Sequence, residues 1–199
     1  MKFVYIYILM SLNKNTGILI DRAINELRTG RPIVLSEKGN YWIFYNIEHA
    51  TKNIINQFKT IQDKETYLLI TKQKAKQLSS NKLNSNIFFQ VSSNFNHSKF
   101  QDLFLNPANK TNILNLKNHN LTKSKLFHNY ALELSKNAKL IPSLIFKKIN
   151  SKFNDDIDSV LSDMGLLKFK YSDLVNQNKH ISDSIKLVSS ANVPLPYVE

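Results

Sequence analysis

Cysteine is absent from the 199 residues. Disulfides, thiolate nucleophiles and Cys-ligated zinc are therefore excluded. Glycine is scarce, at 4 residues, and neither G-x-G-x-x-G nor G-x-x-x-x-G-K can be written anywhere, which removes Gly-rich phosphate loops. Arginine stands only at Arg22, Arg28 and Arg31, so no Arg-plus-aromatic stacking platform for nucleic acid accompanies the basic residues. The histidines at 49, 97, 119, 128 and 180 show no H-x-x-x-H spacing, and solvated or structural roles are expected for them. A nucleophile elbow for serine catalysis is missing too. The most apolar run, Met1 to Leu12, carries only Lys2 and is too short to span a bilayer. Asn13-Lys14-Asn15-Thr16 follows it in place of a small-x-small cleavage site. A buried first strand, or an extension from an upstream start codon, is the expectation.

What is present suits one domain. Apolar residues make up 42% and charged residues 21%, with a net charge of +12, enough for a real core. A charge of that sign raises nucleic acid or an anionic membrane as partners. The lysines are scattered, however, and Lys72, Lys74 and Lys76 alternate along one segment as a solvated face would. Abundant Asn, Lys and Ile together are the signature of AT-rich codons, so the charge is read as compositional.

Hydrophobic periodicity predicts a helix over Thr16 to Arg28, closed by Thr29-Gly30, then a buried strand at Pro32 to Leu35, a turn at Glu37 to Asn40 and a strand over Tyr41 to Ile47. A helix over Glu48 to Phe58, a strand at Tyr67 to Ile70, a Thr71-capped helix to Leu78 and a strand at Asn86 to Val91 follow. Ser92 to Asn120 is Asn-rich and reads as loops with a short helix around Phe100 to Leu105. The later elements are a helix over Lys125 to Ala138, strands at Leu144 to Ile149 and Leu166 to Phe169, and between them a helix from Asp155 to Met164 closed by Gly165. A short helix at Tyr171 to Asn176 and a strand at Ile185 to Val188 come last. Alternating strands and helices predict an α/β or α+β domain.

Several of these segments, taken in order, resemble the 3,4-dihydroxy-2-butanone 4-phosphate synthase family. They are Arg22 through Leu35, Glu48-His49-Ala50-Thr51 with Ile55 to Phe58, Thr66 to Thr71, Ala131-Leu132-Glu133-Leu134 with Leu140-Ile141-Pro142-Ser143-Leu144-Ile145, and Met164-Gly165-Leu166-Leu167 with Tyr171 to Val175. Val188-Ser189-Ser190-Ala191-Asn192-Val193-Pro194-Leu195 is similar to the junction at which GTP cyclohydrolase II begins in fused proteins. The resemblance covers about residues 18 to 199. It implies an α+β sandwich with a mixed sheet, residues 1–17 as an apolar extension, 18–188 as the synthase-like domain, and 189–199 as a linker to a GTP cyclohydrolase II domain outside the chain. It also implies a cytoplasmic homodimer, with a GTP cyclohydrolase II domain or subunit as partner.

The family removes formate from ribulose 5-phosphate with Mg²⁺ and acid–base carboxylates. Clustered oxygen ligands and a base are needed for that. The resemblance places the acidic run of the first strand at Ser36-Glu37-Lys38-Gly39-Asn40, where one carboxylate remains. It places the metal-binding His on Phe127, with His128 one residue late and rotated by about 100° on a helix. The Glu that follows it falls on Asn129, and a further family Glu falls on Lys147, whose charge repels a cation. The zinc of GTP cyclohydrolase II needs cysteines that this chain lacks. The expectation is therefore a degenerate, catalytically inactive domain of the riboflavin pathway, a pseudoenzyme with neither metal nor cofactor, serving as a structural partner or surviving as a remnant. The alternatives are a residual sugar-phosphate enzyme, with a pocket of Arg31, Glu37, Glu48, Thr51 and Lys147, and a basic nucleic-acid-binding module. Arg28 with Arg31 as a phosphate pair, and Asp155-Asp156 with Asp158 as a cation site, are weighed against plain turn and helix-start roles.

Overall fold

Lys38 and Gly39 both lie at positive φ, 49° and 77°. That is the two-residue type I′ turn that matches the twist of a hairpin. It joins β1 (Ile33–Glu37) to β2 (Asn40–Asn46), with Glu37 opposite Asn40 and Ile33 opposite Phe44. The computed structural model describes residues 17–78, 84–91, 97–105, 122–153, 155–170 and 172. The apolar run before residue 13, the strand expected at Ile185 to Val188, the 189–199 segment and, apart from Ser172, the helix expected at Tyr171 to Asn176 lie outside them.

The remaining strands are β3 (Thr66–Ile70), β4 (Ile87–Val91), β5 (Thr122–Lys123), β6 (Ser143–Lys148) and β7 (Leu167–Lys170). They form one seven-stranded sheet in the order β5-β4-β3-β6-β2-β1-β7. Only the β1–β7 pair is parallel, so the sheet is mixed and the α+β expectation holds. β6 sits between β3 and β2 and bonds to both, with Phe146 level with Tyr67 on one side and Phe44 on the other.

Alternation along the strands sorts the core into two layers. On one face Ile33, Leu35, Phe44, Leu69 and Phe146 pack against Ala23 and Leu27 of α1 (17–28) and Ala131 and Leu134 of α5 (Leu126–Asn137). On the other, Val34, Ile43, Leu68 and Ile145 meet α2 (Lys52–Gln57), α3 (Lys72–Leu78), α4 (His97–Leu105) and α6 (Ile157–Asp163) through Ile55, Ala75, Phe104 and Leu161. The result is a helix–sheet–helix sandwich. Among the described residues no helix is long and apolar enough to cross a membrane.

Several boundaries move from their predicted places. The helix expected from Glu48 starts at Lys52, because Thr51 has extended backbone (ψ 156°) and its hydroxyl accepts from Ile54 N at 3.3 Å. Ile47 to His49 instead form a turn in which Glu48 N donates to Asn46 Oδ1 at 2.9 Å. α4 begins three residues before its expected start at Phe100, and α6 begins at Ile157 rather than Asp155. β5 has no counterpart among the expected elements. Thr71 caps α3 as expected, accepting from Lys74 N at 3.2 Å, and Gly165 at φ 61° ends α6. Replacing Thr51 by alanine removes a cap, so a loss of about 1 kcal/mol in urea unfolding is the expected result. Serine at the same place should restore most of it.

Candidate functional site

The turn end of the β1–β2 hairpin, the neighbouring strands and the first turn of α5 border a cavity of 460 Å³. Strand parity decides which side chains meet there. Glu37 continues the Ile33, Leu35 series, and Asn40 and Trp42 continue to Phe44, so all face the α5 layer. Tyr67 and Phe88 reach the same space from β3 and β4, and Lys125, Phe127 and His128 from the start of α5.

Aromatic rings make most of the walls. Tyr67 stacks on Phe88 at 5.1 Å with the planes 2° apart, and Trp42 meets both edge-on at 5.4 and 6.0 Å. These separations suit attractive ring pairs. The Tyr67 hydroxyl donates to Glu65 Oε2 at 2.6 Å. Burial and this carboxylate push its pKa up to about 12, so the phenol stays protonated.

His128 is 2% exposed and lies over Phe88 at 3.9 Å between ring centroids. Its Nδ1 accepts from Lys125 N at 3.0 Å, which assigns the proton to Nε2. Nε2 is buried with no hydrogen-bond partner among the described residues. Burial, helped by the Lys125 charge, pushes the imidazole down to about 3. It is a neutral ring near pH 7, poorly matched to proton transfer there.

A second cavity of 620 Å³ adjoins the first. It shares Glu37 and Lys125 with it and adds Lys38, Tyr41 and Lys170. Together they form one cleft, aromatic at its inner end and basic at its outer end.

Of Arg31, Glu37, Glu48, Thr51 and Lys147, Glu37 alone lines this cleft. Arg31 borders a separate cavity of 420 Å³ with Thr29, Gly30 and Ile54, pairs with Glu26 at 2.7 Å and donates to Gly165 O. Arg28 donates to Ala138 O at 3.2 Å and Asn137 O at 3.3 Å, closing the end of α5. The Arg28–Arg31 phosphate pair is thus replaced by two structural roles. The Glu48 carboxylate accepts from Ile141 N and pins the Leu140-Ile141-Pro142 break to the turn after β2. Thr51 is a helix cap. Lys147 faces the other layer, because Ile145 and Ile149 on its parity belong to the opposite core. Its Nζ donates to Thr66 Oγ1 at 3.0 Å and reaches the carbonyls of Glu65 and Lys64 at 3.4 and 3.5 Å. Burial lowers its pKa. Asp158 is paired with Lys168, and Asp155 and Asp156 are exposed at the start of α6. Among the described residues, the five that the sugar-phosphate alternative groups together do not line one cavity.

The residue that spacing alone set aside is His128. A 100° rotation on a helix carries it away from the position of Phe127, but in the first turn of α5 both Phe127 and His128 are buried while Leu126 is 69% exposed. The turn meets the sheet edge over more than one helix position, which sequence spacing cannot reveal.

The cleft does not suit Mg²⁺. Among the described residues one carboxylate, Glu37, faces it with four lysines, Lys38, Lys123, Lys125 and Lys170, whereas Mg²⁺ takes carboxylates, phosphate and water oxygens in an octahedron. Among the described residues no group of three or more His, Asp or Glu comes together.

No protein-family model and no curated protein matches the sequence. Solved structures do. A two-domain 3,4-dihydroxy-2-butanone 4-phosphate synthase from A. baumannii superposes with TM-score 0.58 at 14% identity, covering 78% of this chain and 56% of that one. The chain thus spans little more than half of that relative's length. The synthase of Candida albicans gives TM-score 0.58 at 12% identity, with 79% and 95% covered. A synthase solved with two magnesium ions gives 0.58 at 11% identity, with 83% and 97% covered. At these identities the likeness establishes the fold.

Proposed function

We propose that this chain, built on the fold of 3,4-dihydroxy-2-butanone 4-phosphate synthases, is a synthase-like domain of riboflavin biosynthesis that does not release formate from ribulose 5-phosphate. It acts in the cytoplasm, as a homodimer, as a non-catalytic partner of a GTP cyclohydrolase II domain or subunit. The observation that carries the first part is the composition of the cleft. Proton removal from a sugar phosphate and stabilisation of the resulting enediolate call for a base and a cluster of oxygen donors around cations. Here Glu37 stands alone among lysines, and the neighbouring imidazole holds its proton on a buried Nε2.

The test is direct. The purified chain, ribulose 5-phosphate and Mg²⁺ are incubated together, and formate is measured with formate dehydrogenase. The expected result is no formate above the protein-free blank. Formate accumulating in proportion to protein concentration would establish the residual sugar-phosphate enzyme instead. The partner role predicts that the chain elutes with the GTP cyclohydrolase II of the same cell in size-exclusion chromatography of the co-expressed pair. Separate elution of the two would remove that role and leave the first part standing.

A further inference from the structure

We propose that the cleft at the hairpin end binds a planar aromatic anion, a ring system carrying a phosphate, with the ring in the inner cavity and the phosphate among the lysines of the outer one. This rests on the reading above only in treating the cleft as free of synthase chemistry.

The inner cavity has the size of a small-molecule site. Trp42 and Tyr67 are only partly buried there, so their rings remain open to contact. Each is braced by Phe88, which is itself fixed against Phe146 at 5.7 Å. Braced, half-open rings stack a flat ligand with little loss of side-chain freedom. The phenol of Tyr67 is engaged with Glu65 and Thr122 Oγ1 donates to Phe88 O at 2.7 Å. These two hydroxyls are occupied rather than arrayed for a polyol.

The outer cavity supplies the charge. Lys38, Lys125 and Lys170 line it, against the single carboxylate of Glu37, and none of the three is in an ion pair among the described residues. The 12-residue helix α5 opens at this point, with no acidic residue in its first turn and no side-chain cap from Lys125. Its dipole favours an anion there. His128 is buried at the junction of helix and cavity, and its Nε2 has no partner among the described residues. Lys38 is held at the tip of the hairpin by the positive-φ turn, so its position is fixed by backbone geometry.

Trp42 is the only tryptophan, so its indole N–H gives one cross-peak in a proton–nitrogen correlation spectrum of the full chain. Four probes separate the parts of the ligand: 1-naphthyl phosphate, 1-naphthol, ribose 5-phosphate and inorganic phosphate. The expected result is a saturable shift of the indole peak with 1-naphthyl phosphate, at an affinity about ten-fold or more above that for any of the other three. Replacing Lys38 and Lys125 together by alanine should weaken 1-naphthyl phosphate about ten-fold and leave 1-naphthol unchanged. Both lysines are exposed, so the fold tolerates their loss. Equal affinity for ribose 5-phosphate, equal affinity for 1-naphthol, or an unmoved indole peak would each overturn the proposal. Formate release is a separate readout, so the failure of one reading is visible without the failure of the other.

Discussion

Replacing Phe146 by alanine is expected to lower stability by about 3–5 kcal/mol, the upper range for a single core truncation. Phe146 is fully buried at the centre of the middle strand. It stacks on Phe44 at 5.2 Å and meets His128 and Trp42 near-perpendicularly at 5.6 and 6.4 Å. Its removal leaves a void that strands on both sides line, and neither can move in without breaking its ladder with β6. A domain of this size has about 5–15 kcal/mol to lose, so the variant should be marginal at 37 °C. Urea unfolding followed by circular dichroism checks this. Phe146→Leu, which keeps most of the volume, should cost under about 1.5 kcal/mol. An alanine variant no weaker than the leucine one would show that the middle of the sheet is not where the packing energy resides.

Acid should weaken the fold through His128. Its folded-state pKa is lowered to about 3, against 6.5 for the free side chain. Between those values the unfolded chain binds more protons, so stability falls as pH drops through 6.5 and the contribution is complete only above it. At pH 5 the loss from this one group is on the order of 2 kcal/mol. His128→Asn keeps an acceptor for Lys125 N and has no proton to gain. The difference in unfolding free energy between pH 7 and pH 5 should therefore shrink by that amount in the variant. Parallel pH curves for the two proteins would contradict the assignment.

The fold was legible where one kind of signal acted alone. Ile33-Val34-Leu35 and Leu68-Leu69-Ile70 are apolar runs bounded by turn chemistry, and Thr71 and Gly165 mark a helix start and stop that the structure keeps. Thr122-Lys123 is an exposed two-residue edge with no apolar pattern, so nothing in its sequence marks it as a strand. Thr51 overrode the apolar spacing that ran back to Glu48, because a cap is a local hydrogen bond and periodicity is only an average.

The site was less legible, for a physical reason. Glu37 lines the cleft because it abuts the two-residue turn on the parity of Ile33 and Leu35. Lys147 lies on the opposite face, since a shift of one residue on a strand exchanges the two faces completely. The aromatic wall could not be anticipated at all. Trp42, Tyr67 and Phe88 come together only because β6 separates β2 from β3 and sets their register, and no local pattern encodes that neighbourhood.

The place of β6 also governs the order in which the chain can assemble during synthesis. The β1–β2 hairpin is finished at Asn46, and the β3–β4 pair at Val91, yet neither has its partner until Ser143–Lys148 has been made. At usual elongation rates the hairpin waits roughly 5–20 s with an apolar edge unpaired. Such long-range closure belongs to the slow end of domain folding. Until then the edges of β2 and β3 that β6 will cover have no partner, and an unpaired apolar edge is open to other chains.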